Sequence, residues 1–188
     1  MIVDIIQKIS KYSDLITQIK LCNLNTQAYN YIKIYELDNC KVKDKVLKQK
    51  KFISLKRLNA EDNIYVKYID HLTNLEYLDC SGSSQISDEN IKNLFKLKEL
   101  DISENLNIIN INHLINLREL YCKGVSGICD SGIKELYKLK VLDAAYNYNI
   151  TNIGHLSDLE SLDLTGNPVS IYDEKSASII KKFYPSII

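Results

Sequence analysis

The sequence predicts an α/β solenoid: a parallel sheet on the concave side, short helices on the convex side, a helical N-terminal segment and a C-terminal cap. Two observations carry this. The template LxxLxLxxN fits six times in register, and the intervals between copies alternate regularly. A third is supportive: with 188 residues and 45% hydrophobic side chains, the chain has enough apolar material for one continuous core.

The six copies are LKRLNAEDN from Leu55, LEYLDCSGS from Leu75, LKELDISEN from Leu97, LRELYCKGV from Leu117, LKVLDAAYN from Leu139 and LESLDLTGN from Leu159. Their starting leucines are separated by a shorter and a slightly longer interval in strict alternation, and a weaker copy, IYELDNC from Ile34, sits one interval before the first. This pattern resembles the leucine-rich-repeat family over residues 34 to 172. Ala60, Cys80, Cys122 and Ala144 depart from the family's Leu at the sixth position, and Ser83 and Val125 from its Asn at the ninth.

Each LxL segment makes a short strand whose alternate side chains point to opposite sides, so Leu58 and Ala60 face inward while Arg57, Asn59 and Glu61 face out. One unit cannot bury its apolar side alone, and stacking at about 4.8 Å per strand provides the missing cover. The longer units contain ISDENIKNLFKL from Ile86 and ICDSGIKELYKL from Ile128, with helical apolar spacing and Asp near the start, as the helix dipole prefers. The shorter units contain NIYVKYIDHL, NLNIININHL and NYNITNIGHL, where apolar residues recur every third position and suit turns or extended chain. The true repeat is therefore a pair of coils, as from Leu55 to Leu97 and from Leu97 to Leu139.

At the C-terminus, residues 173 to 188 form a cap helix, with Ile179, Ile180 and Phe183 as its packing face and Pro185 as its stop. At the N-terminus, residues 1 to 33 show three short runs of helical apolar spacing. The string DIIQKISKYSDLITQIKLCNLNTQAYNYI resembles an F-box, with Asp4, Ile5, Ile6 and Ile9 in place of its opening helix and Ser13, Asp14, Leu15, Leu21 and Cys22 in its second. The family's leading Leu-Pro is absent. The resemblance implies binding to a Skp-family adaptor through Ile5, Ile6, Ile9 and Leu15, and delivery of substrates to a cullin-type ubiquitin ligase. A plain helical cap explains the same spacing, and both readings stand.

The three His residues, His71, His113 and His155, recur once per pair of coils, and each precedes a core Leu. Two strand spacings put neighbours about 10 Å apart, too far to share a zinc bound at about 2 Å. Cys80 and Cys122 share the inward sixth position, beyond the Cα limit of about 7 Å for a disulfide. Cys22, Cys40 and Cys129 have no acid-base neighbour in sequence. P-loop, GxGxxG, GxSxG, HExxH and EF-hand strings are all missing, so the expectation is a non-enzyme with no cofactor and no metal.

Lys plus Arg and Asp plus Glu number 24 each, which disfavours nucleic acid as a partner. The N-terminal residues interrupt their apolar positions with charges, unlike a signal peptide or a membrane span, so no membrane role and an intracellular, cytoplasmic location are expected. Ile, Lys, Asn and Tyr are used heavily and Trp not at all, a composition that resembles proteins of large DNA viruses of amoebae.

Function is expected on the outward strand positions. In chain order these include Arg57, Asn59 and Glu61; Tyr77, Asp79 and Ser81; Glu99, Asp101 and Ser103; Glu119, Tyr121 and Lys123; then Asp143 and Asp163. The face is predominantly acidic with two tyrosines set into it, suited to a basic protein partner. Asp in the central column is also simply common in leucine-rich repeats, and that reading stands beside the first.

Overall fold

A three-residue strand has one inward side chain, so this sheet exists only as a stack. The computed structural model describes residues 36–37, 43–48, 50–167 and 173–185. Seven parallel strands follow one another in chain order: β1 (Glu36–Leu37), β2 (Arg57–Asn59), β3 (Tyr77–Asp79), β4 (Glu99–Asp101), β5 (Glu119–Tyr121), β6 (Val141–Asp143) and β7 (Ser161–Asp163). The register places Leu37, Leu58, Leu78, Leu100, Leu120, Leu142 and Leu162 in one buried row. Behind it lie the other template leucines and the sixth-position residues, including Cys80 and Cys122, all in a single core. This is the leucine-rich-repeat solenoid that the spacing predicts.

The convex side alternates as expected. Helices α1 (Asp44–Leu47), α2 (Asp88–Ile91) and α3 (Asp130–Ile133) follow β1, β3 and β5, while the coils that follow β2, β4 and β6 cross in turns and extended chain. Each short helix is held at both ends by the next coil. Asp44 Oδ1 accepts the backbone N–H groups of Lys67 and Tyr68 (2.8 and 3.0 Å). Asp88 Oδ1 does the same for Ile109 and Asn110 (3.0 and 3.2 Å), and Asp130 Oδ1 for Thr151 and Asn152 (2.7 and 2.8 Å). At the other end, Nε2 of His71, His113 and His155 donates to the carbonyl of Leu47, Ile91 and Ile133, each at 3.1 Å. A carbonyl only accepts, so the proton sits on Nε2. The histidines are thus one structural position, as their spacing implies. The aspartates complement the helix dipole and also bind coil to coil.

The ninth-position asparagines are buried. Asn105 Nδ2 donates to the Cys80 carbonyl (2.7 Å) while its Oδ1 accepts the N–H of Asn107 (2.8 Å), and Asn147 repeats both bonds. In the coils beginning at Leu75 and Leu117 the sequence reading puts Ser83 and Val125 at this place. The structure instead buries Ser84 and Ser126, one position later, and leaves Ser83 and Val125 exposed. Part of the surplus length of these longer units falls in this turn, so the buried polar side chain arrives late.

At the C-terminal end, α4 (Glu174–Phe183) starts on Asp173, whose carboxylate accepts the Ser176 N–H (2.7 Å). Ile179 and Ile180 are buried on the last coil, with Phe183 partly buried beside them. Tyr184 closes the strand edge: its hydroxyl accepts from the N–H of Leu164 and donates to the carbonyl of Leu162, both at 3.1 Å. The N-terminal segment, with Ile5, Ile6, Ile9 and Leu15, lies outside the described residues.

Candidate functional site

Parallel register brings the outward strand positions into three columns on one face. The third-position column is Glu36, Arg57, Tyr77, Glu99, Glu119, Val141 and Ser161; the fifth is Asn59, Asp79, Asp101, Tyr121, Asp143 and Asp163. Glu61, Ser81, Ser103 and Lys123 belong to the seventh. All the outward residues named from sequence therefore share the concave face. They do not form one compact site, because β2 and β7 are five strands apart, about 24 Å.

The central aspartates have a local structural role. Oδ1 of Asp101 accepts the N–H of Ser103 (2.9 Å), Asp143 that of Ala145 (3.4 Å) and Asp163 that of Thr165 (2.8 Å), each an Asx-type turn that ends the strand. Asn59 does the same for Glu61 (3.0 Å). Asp79 is the most engaged, being only 8% exposed and accepting from Asn59 Nδ2 (3.1 Å), the Ser81 N–H (3.1 Å) and the Ser81 hydroxyl (2.7 Å). Ser103 and Thr165 also hydrogen-bond Asp101 and Asp163 through their side chains.

Electrostatics follow from this crowding. Glu99 and Glu119 are register partners, and burial, followed by the Glu119 charge, raises Glu99 above the ordinary carboxylate value. Burial also raises Asp101, against the pull of the hydrogen bonds from Ser103. Thr165 hydrogen bonds hold Asp163 below its ordinary value. Lys123 pairs with Asp143 at 2.8 Å. Across the described positions of the three columns eight carboxylates, Glu36, Glu61, Asp79, Glu99, Asp101, Glu119, Asp143 and Asp163, face two cations, Arg57 and Lys123.

The two tyrosines are half-buried. The Arg57 guanidinium lies 3.9 Å from the centre of the Tyr77 ring, and the Tyr121 hydroxyl donates to Glu119 (3.0 Å). Burial, assisted by nearby carboxylates, pushes both phenols up to about 12. Tyr77 thus already carries a cation on its face.

Elsewhere the described residues assemble little chemistry. A convex cleft of about 360 Å³ beside α3 is lined by Asp130, Ser131, Lys134, Asn152 and His155, but Asp130 and His155 are engaged in the coil-to-coil clamp. Cys80 and Cys122 are fully buried, and burial pushes the Cys122 thiol up to about 12. Among the described residues no three or more His, Cys, Asp and Glu side chains gather as metal ligands, and no helix is long and apolar enough to cross a membrane.

Sequence reasoning passed over the edge where the strands end. Leu106, Val125, Tyr146 and Tyr148 stand there 56–69% exposed. The signal was present: Ile64, Leu106 and Tyr148 recur once per pair of coils, in the same rhythm as the histidines.

No family model and no curated protein matches the chain. Among solved structures it is similar to an internalin, InlF, from Listeria monocytogenes, with 25% identity and a TM-score of 0.56 over 73% of this chain and 43% of that one. It is also similar to the functional domain of InlJ from Listeria monocytogenes, whose description includes a cysteine ladder, with 24% identity and a TM-score of 0.48 over 72% and 31% of the two chains. For an internalin C2 from the same species the values are 18%, 0.40, 69% and 76%. The chain spans less than half the length of the first two. The likeness to InlF agrees with the repeat architecture.

Proposed function

We propose that this protein is a non-enzymatic interaction module that receives a basic segment of a protein partner on its concave face. One observation carries the reading: a chain with equal numbers of acidic and basic residues sets eight described carboxylates against two cations on one face of a continuous sheet. Side chains fixed by strand register lose little freedom on binding, so contacts made there are pre-organised. Tyr77 and Tyr121 serve as anchors, since tyrosine buries much area with few rotamers. An intracellular setting, in a host cell if the chain is virus-encoded, belongs to the proposal.

The test compares capture of partners by variants. Tyr77→Ala with Tyr121→Ala abolishes capture, whereas Lys92→Glu with Lys134→Glu, on the convex side, leaves it intact, and wild-type capture weakens as salt rises. Loss in the convex variant instead, or capture indifferent to salt, contradicts the reading.

The sequence of residues 1 to 33 supports a second role, as an F-box-like adaptor between this face and a ubiquitin ligase. A Skp-family adaptor then binds the intact chain and is lost on Ile5→Asp with Ile9→Asp. No binding by the wild type ends that reading.

A further inference from the structure

We infer that the edge where β4 to β6 end is an apolar contact line, and that the partner segment is amphipathic, its apolar side on this line and its cations on the acidic face. The inference rests on the concave-face reading above and names the partner's chemistry.

Leu106, Val125, Tyr146 and Tyr148 are 64, 69, 56 and 60% exposed. Single exposed apolar residues are ordinary, but a row of them from adjacent coils is not. The coils are bonded at this edge beyond the strands themselves: Glu104 N–H to the Lys123 carbonyl (3.1 Å), Gly124 to Ala145 (2.9 Å) and Tyr146 to Thr165 (2.8 Å). Leu106 and Tyr148 hold one register position two coils apart, about 10 Å. Val125 comes from the coil between them.

Tyr146 is the sharpest sign. Its backbone is left-handed at φ 59°, a conformation that a bulky residue adopts only under strain. The equivalent positions carry Gly82, Gly124 and Gly166, or Asp62 and Glu104. Asp62 uses its carboxylate there to accept the Ser83 N–H (2.8 Å). Tyr146 lays its ring against Gly166 yet stays more than half exposed. The other two shorter coils fill this place with the acidic side chains of Asp62 and Glu104, so an exposed aromatic ring here points to a surface role.

Charge selects the occupant. Among positions eight to ten of these three coils, Glu104 is the sole charged residue, and the columns beside them carry Asp101, Asp143 and Asp163 with one cation, Lys123, which is paired with Asp143. An acidic segment is repelled, and a purely cationic one leaves the apolar line in water. A segment with Lys or Arg on one side and large apolar residues on the other satisfies both.

The test uses two labelled synthetic peptides of equal positive charge, one of Leu and Lys in an amphipathic helical pattern, the other of Ser and Lys. Fluorescence anisotropy at low salt reads their affinities for the full chain. The Leu/Lys peptide binds wild type about tenfold more tightly than the Ser/Lys peptide. Leu106→Ser with Tyr148→Ser removes that difference and leaves Ser/Lys binding unchanged. Tyr146→Gly, which suits the backbone and keeps the fold, weakens Leu/Lys binding alone. If the Leu/Lys peptide binds wild type and these variants equally, the apolar line is not a contact and the acidic-face reading survives. If neither peptide binds wild type, both fall.

Discussion

The carboxylate of Asp62 lies over Gly82, in the space that a β-carbon on Gly82 would enter. Glu104 stands over Gly124 and Tyr146 over Gly166 in the same way, and all six residues have positive φ. The eighth position is left-handed in each of the six coils from Leu55 onward, and a side chain on one coil requires its absence on the next. Gly124→Ala should therefore destabilise by about 1–3 kcal/mol through strain and overlap, while Glu104→Gly should change stability by less than about 1 kcal/mol. Urea unfolding measures both; equal effects would show that the pairing is incidental.

Inward and outward positions should separate sharply within one strand. Leu100 is fully buried and Glu99 faces out beside it. Leu100→Ala should cost about 2–5 kcal/mol through the cavity it leaves, whereas Glu99→Ala removes a carboxylate crowded by Glu119 and should change stability little. Equal melting shifts would contradict the assignment of faces.

The clamp by Asp88 should matter more than the helix-dipole effect of its neighbour. Asp88→Ala strips the acceptor from two backbone N–H groups and should cost about 1–3 kcal/mol. Glu89→Ala, on the same helix and paired only with exposed Lys92, should cost less than about 0.5 kcal/mol. Thermal unfolding of the two variants gives the comparison.

Carboxylates on and beside the face should respond to pH with opposite signs. Hydrogen bonds from Lys56 and Lys98 hold Glu76 down to about 2, so its contribution is present above its ordinary value near 4.5 and is lost as pH falls from there toward 2. Glu99 is raised, so it opposes folding at neutral pH and the opposition vanishes as pH falls to about its ordinary value. Glu76→Gln should thus be destabilised at pH 7, and Glu99→Gln stabilised there, with the Glu99→Gln advantage gone near pH 4.5. Melting temperatures across the acid range show whether the signs hold.

The stacked strands, the alternation of convex helices and turns, and the inward cysteines were legible because the leucine spacing repeats six times. The place of Asp88 and Asp130 was only half legible: composition near a helix start suggests the dipole, but the N–H groups they bind lie on the next coil, far along the chain. Asp79 illustrates a different limit. The period places it outward, but only packing shows that Asn59 and Ser81 already occupy its oxygens. Ser84 and Ser126 were missed because a fixed template hides the lengthening of a turn by a single position. Tyr184 was missed because its hydroxyl acts on a strand of the preceding coil, well before it in sequence.

Cation binding on the concave face can be followed residue by residue by NMR. An isotope-labelled full chain is titrated with an oligolysine peptide at low salt while backbone amide shifts are followed. Saturable shifts centred on Glu99, Asp101, Glu119, Tyr121, Asp143 and Asp163, reversed by added salt, are expected. Shifts centred on the convex residues around α2 and α3, or no saturable shift at all, would contradict cation binding on that face.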